Sequence, residues 1–114
     1  MRILIVEDET AAYENLADML VTIDPTLEIM GNTESVQQTV RWLQANPRPD
    51  LIFMDIHLSD GSAFAIFDQI EVEAPIIFTT AYDQYAIDAF KVNSIDYILK
   101  PIKSEELKLS LIHI

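Results

Sequence analysis

Apolar residues in this chain fall into short runs, unbroken except at Glu28, separated by stretches where they recur every three or four positions. The runs are Ile3-Leu4-Ile5-Val6, Leu27-Glu28-Ile29-Met30, Leu51-Ile52-Phe53-Met54, Ile76-Ile77-Phe78 and Tyr97-Ile98-Leu99. Runs this short and this rich in Ile, Val and Phe predict buried strands of a parallel sheet. The strands are expected at about 2–6, 27–30 (stopped by Gly31), 51–54, after Pro75, and 94–99. Between the first two, Ala12, Leu16, Met19, Leu20 and Ile23 keep helical spacing. Asp24-Pro25 should end that helix, because proline restricts the residue before it. Val36, Val40 and Leu43 predict a second helix from about Thr33 to Gln44, closed by Asn46-Pro47-Arg48-Pro49. Asp60-Gly61 signals a turn. A helix from Ser62 should carry Phe64, Phe67 and Ile70 on one side. A fourth helix is expected from Asp83 to Val92. Ser104 is expected to cap a last one, with Glu105 and Glu106 placed to favour its dipole. Strand and helix alternate throughout. That predicts one α/β domain over 1–114, a doubly wound five-stranded parallel sheet with helices on both faces and right-handed crossovers.

Four of the runs stop at residues able to do chemistry. The first ends at Glu7-Asp8-Glu9, the third at Asp55, the fourth at Thr79-Thr80 and the fifth at Lys100-Pro101. Open parallel sheets bind ligands outside the carboxyl ends of their strands, so these groups should share one edge. Carboxylates gathered in one cleft repel one another unless something positive sits among them. A hard divalent cation resolves this, and Mg²⁺ favours such oxygen ligands together with water and phosphate. Zinc does not fit: there is no cysteine, and His57 and His113 lack ligand spacing. Lys100 adds a fixed cation, and either threonine a hydroxyl. Together these parts make a phosphoryl-handling site, with a carboxylate able to serve as nucleophile. Each part alone has an ordinary reading. An acidic pair after a strand is often a solvated helix start, and a lysine before proline a surface residue. Their joint occurrence points to function.

Composition narrows the class. A net charge of −12 repels phosphate backbones, so this domain is not expected to bind nucleic acid directly. Half the residues are hydrophobic, which argues against disorder. Two glycines are too few for a dinucleotide-binding or Walker-type loop. Without cysteine there are no disulfides or thiolate metal sites, and a cytoplasmic setting is expected. No apolar run approaches the length of a membrane span, and no stretch reads as a signal peptide.

The motifs Val6-Glu7-Asp8-Glu9, Met54-Asp55-Ile56, Thr80-Ala81 and Lys100-Pro101 stand in one order and spacing over essentially the whole chain. In this the chain resembles a response-regulator receiver domain of two-component systems. The resemblance implies a flavodoxin-like (βα)5 fold with strand order 2-1-3-4-5. It implies Asp55 as the phosphoacceptor, Asp8 as a direct Mg²⁺ ligand, Glu7 as a ligand through water, and the backbone carbonyl of His57 as a further ligand. Thr80, rather than Thr79, and Lys100 would contact the phosphoryl group, and the Lys100-Pro101 bond would be cis. Glu7 stands where many relatives carry aspartate. Tyr97 is either a strand aromatic with a polar handle or a rotamer switch that follows Thr80, and Tyr82 would tune water access. The protein would be a phosphorylation-dependent switch rather than an enzyme acting on other molecules, catalysing only its own phosphorylation and dephosphorylation.

The segments 81–90 and 93–101 are similar to receivers joined to LytTR-type DNA-binding domains. A sensor histidine kinase and such an output domain are therefore the expected partners, with transcription as the output. The fourth helix, fifth strand and fifth helix carry more apolar residues than one core-facing stripe needs, so they are expected to form an output or homodimer face. The chain reads as part of something longer, with its fifth helix cut short. Two rival classes remain. A phosphatase with an aspartate nucleophile would need a second acid at position 57, where histidine stands. A pseudo-receiver would never take phosphate.

Overall fold

The computed structural model describes residues 1–81, 94–112 and 114, with backbone alone at 94 and 95. The main sheet consists of β1 (Arg2–Val6), β2 (Glu28–Thr33), β3 (Leu51–Asp55), β6 (Ile76–Thr80) and β7 (Ser94–Leu99). All pairings are parallel, in the order β2-β1-β3-β6-β7. Counting only these strands, the order is 2-1-3-4-5, as the resemblance to receiver domains implies. A two-residue antiparallel ribbon, β4 (His57–Leu58) with β5 (Gly61–Ser62), follows β3. The helices are α1 (Thr10–Ile23), α2 (Val36–Ala45), α3 (Ala65–Gln69) and α4 (Ser104–Ile112). The helix expected over 83–92 lies outside the described residues.

Strand side chains alternate between the two faces of a sheet. Here that alternation divides the core in two. Ile3, Ile5, Leu51, Phe53, Ile77 and Ile98 meet Leu16 and Leu20 of α1 and Leu107 of α4. Leu4, Val6, Ile52, Met54, Ile76 and Phe78 meet Val36 and Val40 of α2 and Ile66 of α3. Both faces of the sheet are covered, so its central strands β1, β3 and β6 carry unbroken apolar runs. The stripe expected on α3 is present: Phe64 and Phe67 pack on Phe78, with ring centroids 5.3 and 6.2 Å away.

Four boundaries differ from expectation, the first being α2, which starts at Val36 rather than Thr33 because Thr33 ends β2. β2 does not stop at Gly31 but runs on to Thr33, because Leu4, Ile5 and Val6 need pairing partners on that side. Gly31 serves close approach instead: a Cβ there would lie 3.1 Å from the Trp42 indole nitrogen. Ser62 belongs to the ribbon, so α3 starts three residues later and is short. Ser104 is the first helical residue of α4, since the Lys103 carbonyl accepts from the Leu107 amide at 3.0 Å.

Candidate functional site

The parallel registers bring the reactive residues to one edge. Val6 lies beside Met54, Asp55 beside Thr79, and Thr80 beside Leu99. Each strand's apolar run fixes its depth, so the residue after the run emerges at the carboxyl edge. Glu7, Asp8 and Asp55 each place a carboxylate oxygen within 4.8 Å of the others. Glu7 and Asp55 are buried, at 5% and 6% exposure. Lys100 reaches between them. Its Nζ donates to Glu7 Oε1 at 2.5 Å and to Asp55 Oδ2 at 2.9 Å. The Lys100-Pro101 bond is cis, and the Lys100 amide donates to the Thr80 carbonyl at 2.7 Å. The second oxygens are held too: Glu7 Oε2 accepts from the Glu9 amide and Asp55 Oδ1 from the His57 amide, both at 3.2 Å.

The electrostatics follow from this crowding. Three carboxylates face one ammonium. Desolvation, then the hydrogen bond and charge of Glu7, push the Asp8 carboxyl above its ordinary value. Burial alone pulls Lys100 down, but its bonds to Glu7 and Asp55 and their charges outweigh that and hold its pKa above the usual lysine value. The set therefore carries surplus negative charge, with clustered hard oxygen donors that suit a divalent cation of the magnesium kind. Glu7, Asp8 and Asp55 could hold such an ion.

The remaining predicted residues are placed as follows. Thr80 ends β6 and is fully buried, with Thr79 beside it nearly so. His57 is exposed, two residues beyond Asp55. Tyr97 is half-buried against the core cluster that contains Phe78. Tyr82 lies outside the described residues.

Sequence reasoning missed two polar residues that hold the loops of this edge. Asp60, read only as half of a turn, sets its carboxylate on the first amides of α2, with Oδ1 2.7 Å from the Val36 nitrogen and Oδ2 3.1 Å from the Gln37 nitrogen. The Val36 hydrogen bond holds the Asp60 carboxyl below its ordinary range. Asn32 extends its amide from β2 to the carbonyls of Ile5 and Glu7, both at 3.1 Å. Neither contact has a local sequence signal, because each partner lies more than twenty residues away.

An open parallel sheet whose carboxyl edge gathers three acids and a lysine makes this an α/β domain with a candidate phosphoryl-handling edge. The chain matches the response regulator receiver domain over residues 3–112 and belongs to that family. It is 42% identical to the sensory transduction protein LytT of Enterococcus faecalis over 110 residues, which are 94% of this chain and 45% of that protein. It is 39% identical to the transcriptional regulatory protein LytR of Staphylococcus aureus, covering 95% of this chain and 44% of that protein. The chain thus spans less than half the length of these relatives. The crystal structure of the response regulatory domain of protein mrkE from Klebsiella pneumoniae superposes with a TM-score of 0.84 at 34% identity, covering 98% of this chain and 93% of that one.

Proposed function

We propose that this domain is a phosphorylation-operated switch that takes a phosphoryl group from a sensor histidine kinase onto Asp55. The observation that carries the reading is the joint placement of Asp55 with Glu7, Asp8 and the Lys100 ammonium. Asp55 is the nucleophile: one carboxylate oxygen forms the bond to phosphorus as the phosphorus–nitrogen bond of a phosphohistidine breaks and its electron pair returns to the imidazole. Glu7, Asp8, Asp55 and the backbone carbonyl of His57 would hold Mg²⁺, which when bound supplies positive charge against the phosphoryl oxygens. Lys100 adds a second fixed positive charge, and Thr80 a hydroxyl donor, on the transferred group.

The added charge of about −2 acts locally. It becomes a signal if Thr80 and Lys100 hold the phosphoryl group better in one packing of the domain than in another. Changing a population from ~1% to ~99% needs ~5.5 kcal/mol of such preference. Charge-assisted hydrogen bonds at a metal-neutralised site are of the strength required. Tyr97, packed beside Phe78, is the switch residue in this reading. The output face includes β7 and α4, where Leu99, Leu109 and Ile112 stand exposed. The same face would serve a homodimer. The name of one relative, the transcriptional regulatory protein LytR, supports a transcriptional role, which would be exerted through a LytTR-type DNA-binding domain in the full-length protein. Among the described residues no helix is long and apolar enough to cross a membrane, which accords with a cytoplasmic setting.

Intact-mass spectrometry after incubation with Mg²⁺ and acetyl phosphate tests this. A single phosphoryl adduct is expected on the wild type and none on Asp55→Asn. An adduct retained in Asp55→Asn would reassign the acceptor. No adduct on folded wild type would leave a pseudo-receiver.

A further inference from the structure

The ribbon that follows Asp55 is fastened at its tip. Besides the two bonds from Asp60 to α2, Ser59 donates to the Glu34 carbonyl from its hydroxyl at 3.1 Å and from its amide at 3.5 Å. At its base the ribbon is closed by the Ala63 amide donating to the Ile56 carbonyl at 2.7 Å. His57 therefore sits in a segment fixed at both ends. The turn that receives Asp60 and Ser59 also holds the other acidic loop. The Thr33 carbonyl accepts from the Glu7 amide at 2.9 Å, and Asn32 donates to the Glu7 carbonyl. The turn itself is rigid: Ser35 caps α2 through the Gln38 amide at 3.0 Å, and the Thr33 and Thr39 hydroxyls share a buried bond of 2.7 Å.

Residues 32–37 are thus a common anchor for the loop bearing Glu7 and Asp8 and the loop bearing His57. A cation held by both loops needs their separation fixed before it arrives, since any ordering left to binding weakens it. We infer that Asp60 is a positioning residue for the divalent cation: its carboxylate on the N-terminus of α2 sets the loop after Asp55 at a fixed distance from Glu7 and Asp8. This rests on the metal set given under the proposed function. Asp60 itself touches neither cation nor phosphoryl group.

The test is calorimetric titration of the folded chain with magnesium chloride. It compares wild type, Asp60→Ala, Asp60→Asn and Val40→Ala, each checked by circular dichroism. Val40 is a buried core residue of α2 whose side chain makes none of the hydrogen bonds that fasten the two loops to residues 32–37, so Val40→Ala lowers stability while leaving those bonds in place. Asp60→Ala is expected to raise the Mg²⁺ dissociation constant about tenfold, the scale of lost supporting contacts around metal ligands. Asp60→Asn keeps one acceptor oxygen and should fall between it and wild type. Val40→Ala should keep wild-type affinity. An unchanged constant in Asp60→Ala overturns the inference, as does equal weakening in Val40→Ala, which would make the effect one of stability alone. Absence of Mg²⁺ binding by the folded wild type would overturn the underlying site as well.

Discussion

Asp8 stands to gain from a cation. Its folded pKa is raised above the ordinary 3.8, by desolvation first and then by Glu7. A raised carboxyl favours the folded state fully only below the unfolded value, and that contribution is lost as pH rises through the folded one. Without metal, Asp8→Asn should therefore be more resistant to urea than wild type at pH 7. The advantage should fade as pH drops below about 3.8. Midpoints that differ equally at pH 3 and pH 7 would show that charge is not the cause. Added Mg²⁺ should reverse the order at pH 7, since the ion favours the ionised acid. Glu7, Asp8, Asp55 and Lys100 were readable in the sequence because each ends an apolar run, and a run's end marks the sheet edge. Asp60 was not, because its work is done on a helix terminus that only the folded chain brings near.

Among the elements, α4 gives the sharpest separation between packing and surface. Leu107 is fully buried against the face shared with α1, while Leu109 and Ile112 are 58% and 74% exposed. Leu107→Ala should cost about 2–5 kcal/mol in urea unfolding. Ile112→Ser should stay within about 0.5 kcal/mol in the isolated domain. A large loss from Ile112→Ser would mean that the outer stripe has a partner even here. The apolar excess of α4 was legible in the sequence, and so were the five strands. The ends of elements were less so. β2 passed through Gly31 because β1 needed pairing, and the ribbon took Ser62 from α3. For β2 the long-range pairing with β1 decided against the local signal, and for Ser62 the antiparallel pairing with His57 did.

For the molecule as a whole, a net charge of −12 sets the background. Added salt should stabilise it modestly by screening self-repulsion. Mg²⁺ should do more if it binds the folded acidic edge as proposed. A hundredfold excess over its dissociation constant adds about 2.7 kcal/mol. Thermal unfolding should therefore rise with MgCl₂ along a saturating curve, above the rise produced by NaCl of the same ionic strength. Coincident curves would argue against a specific ion site. In the sheet, β1 and β7 are never neighbours, since β3 and β6 stand between them. Yet the last residue before Pro101 bonds to Glu7 at the end of β1 and to Asp55 at the end of β3. Any cation that draws those oxygens to itself competes with that ammonium. The rim of the sheet is thus tethered to its centre by one side chain, and what happens at the centre loosens or tightens the tether.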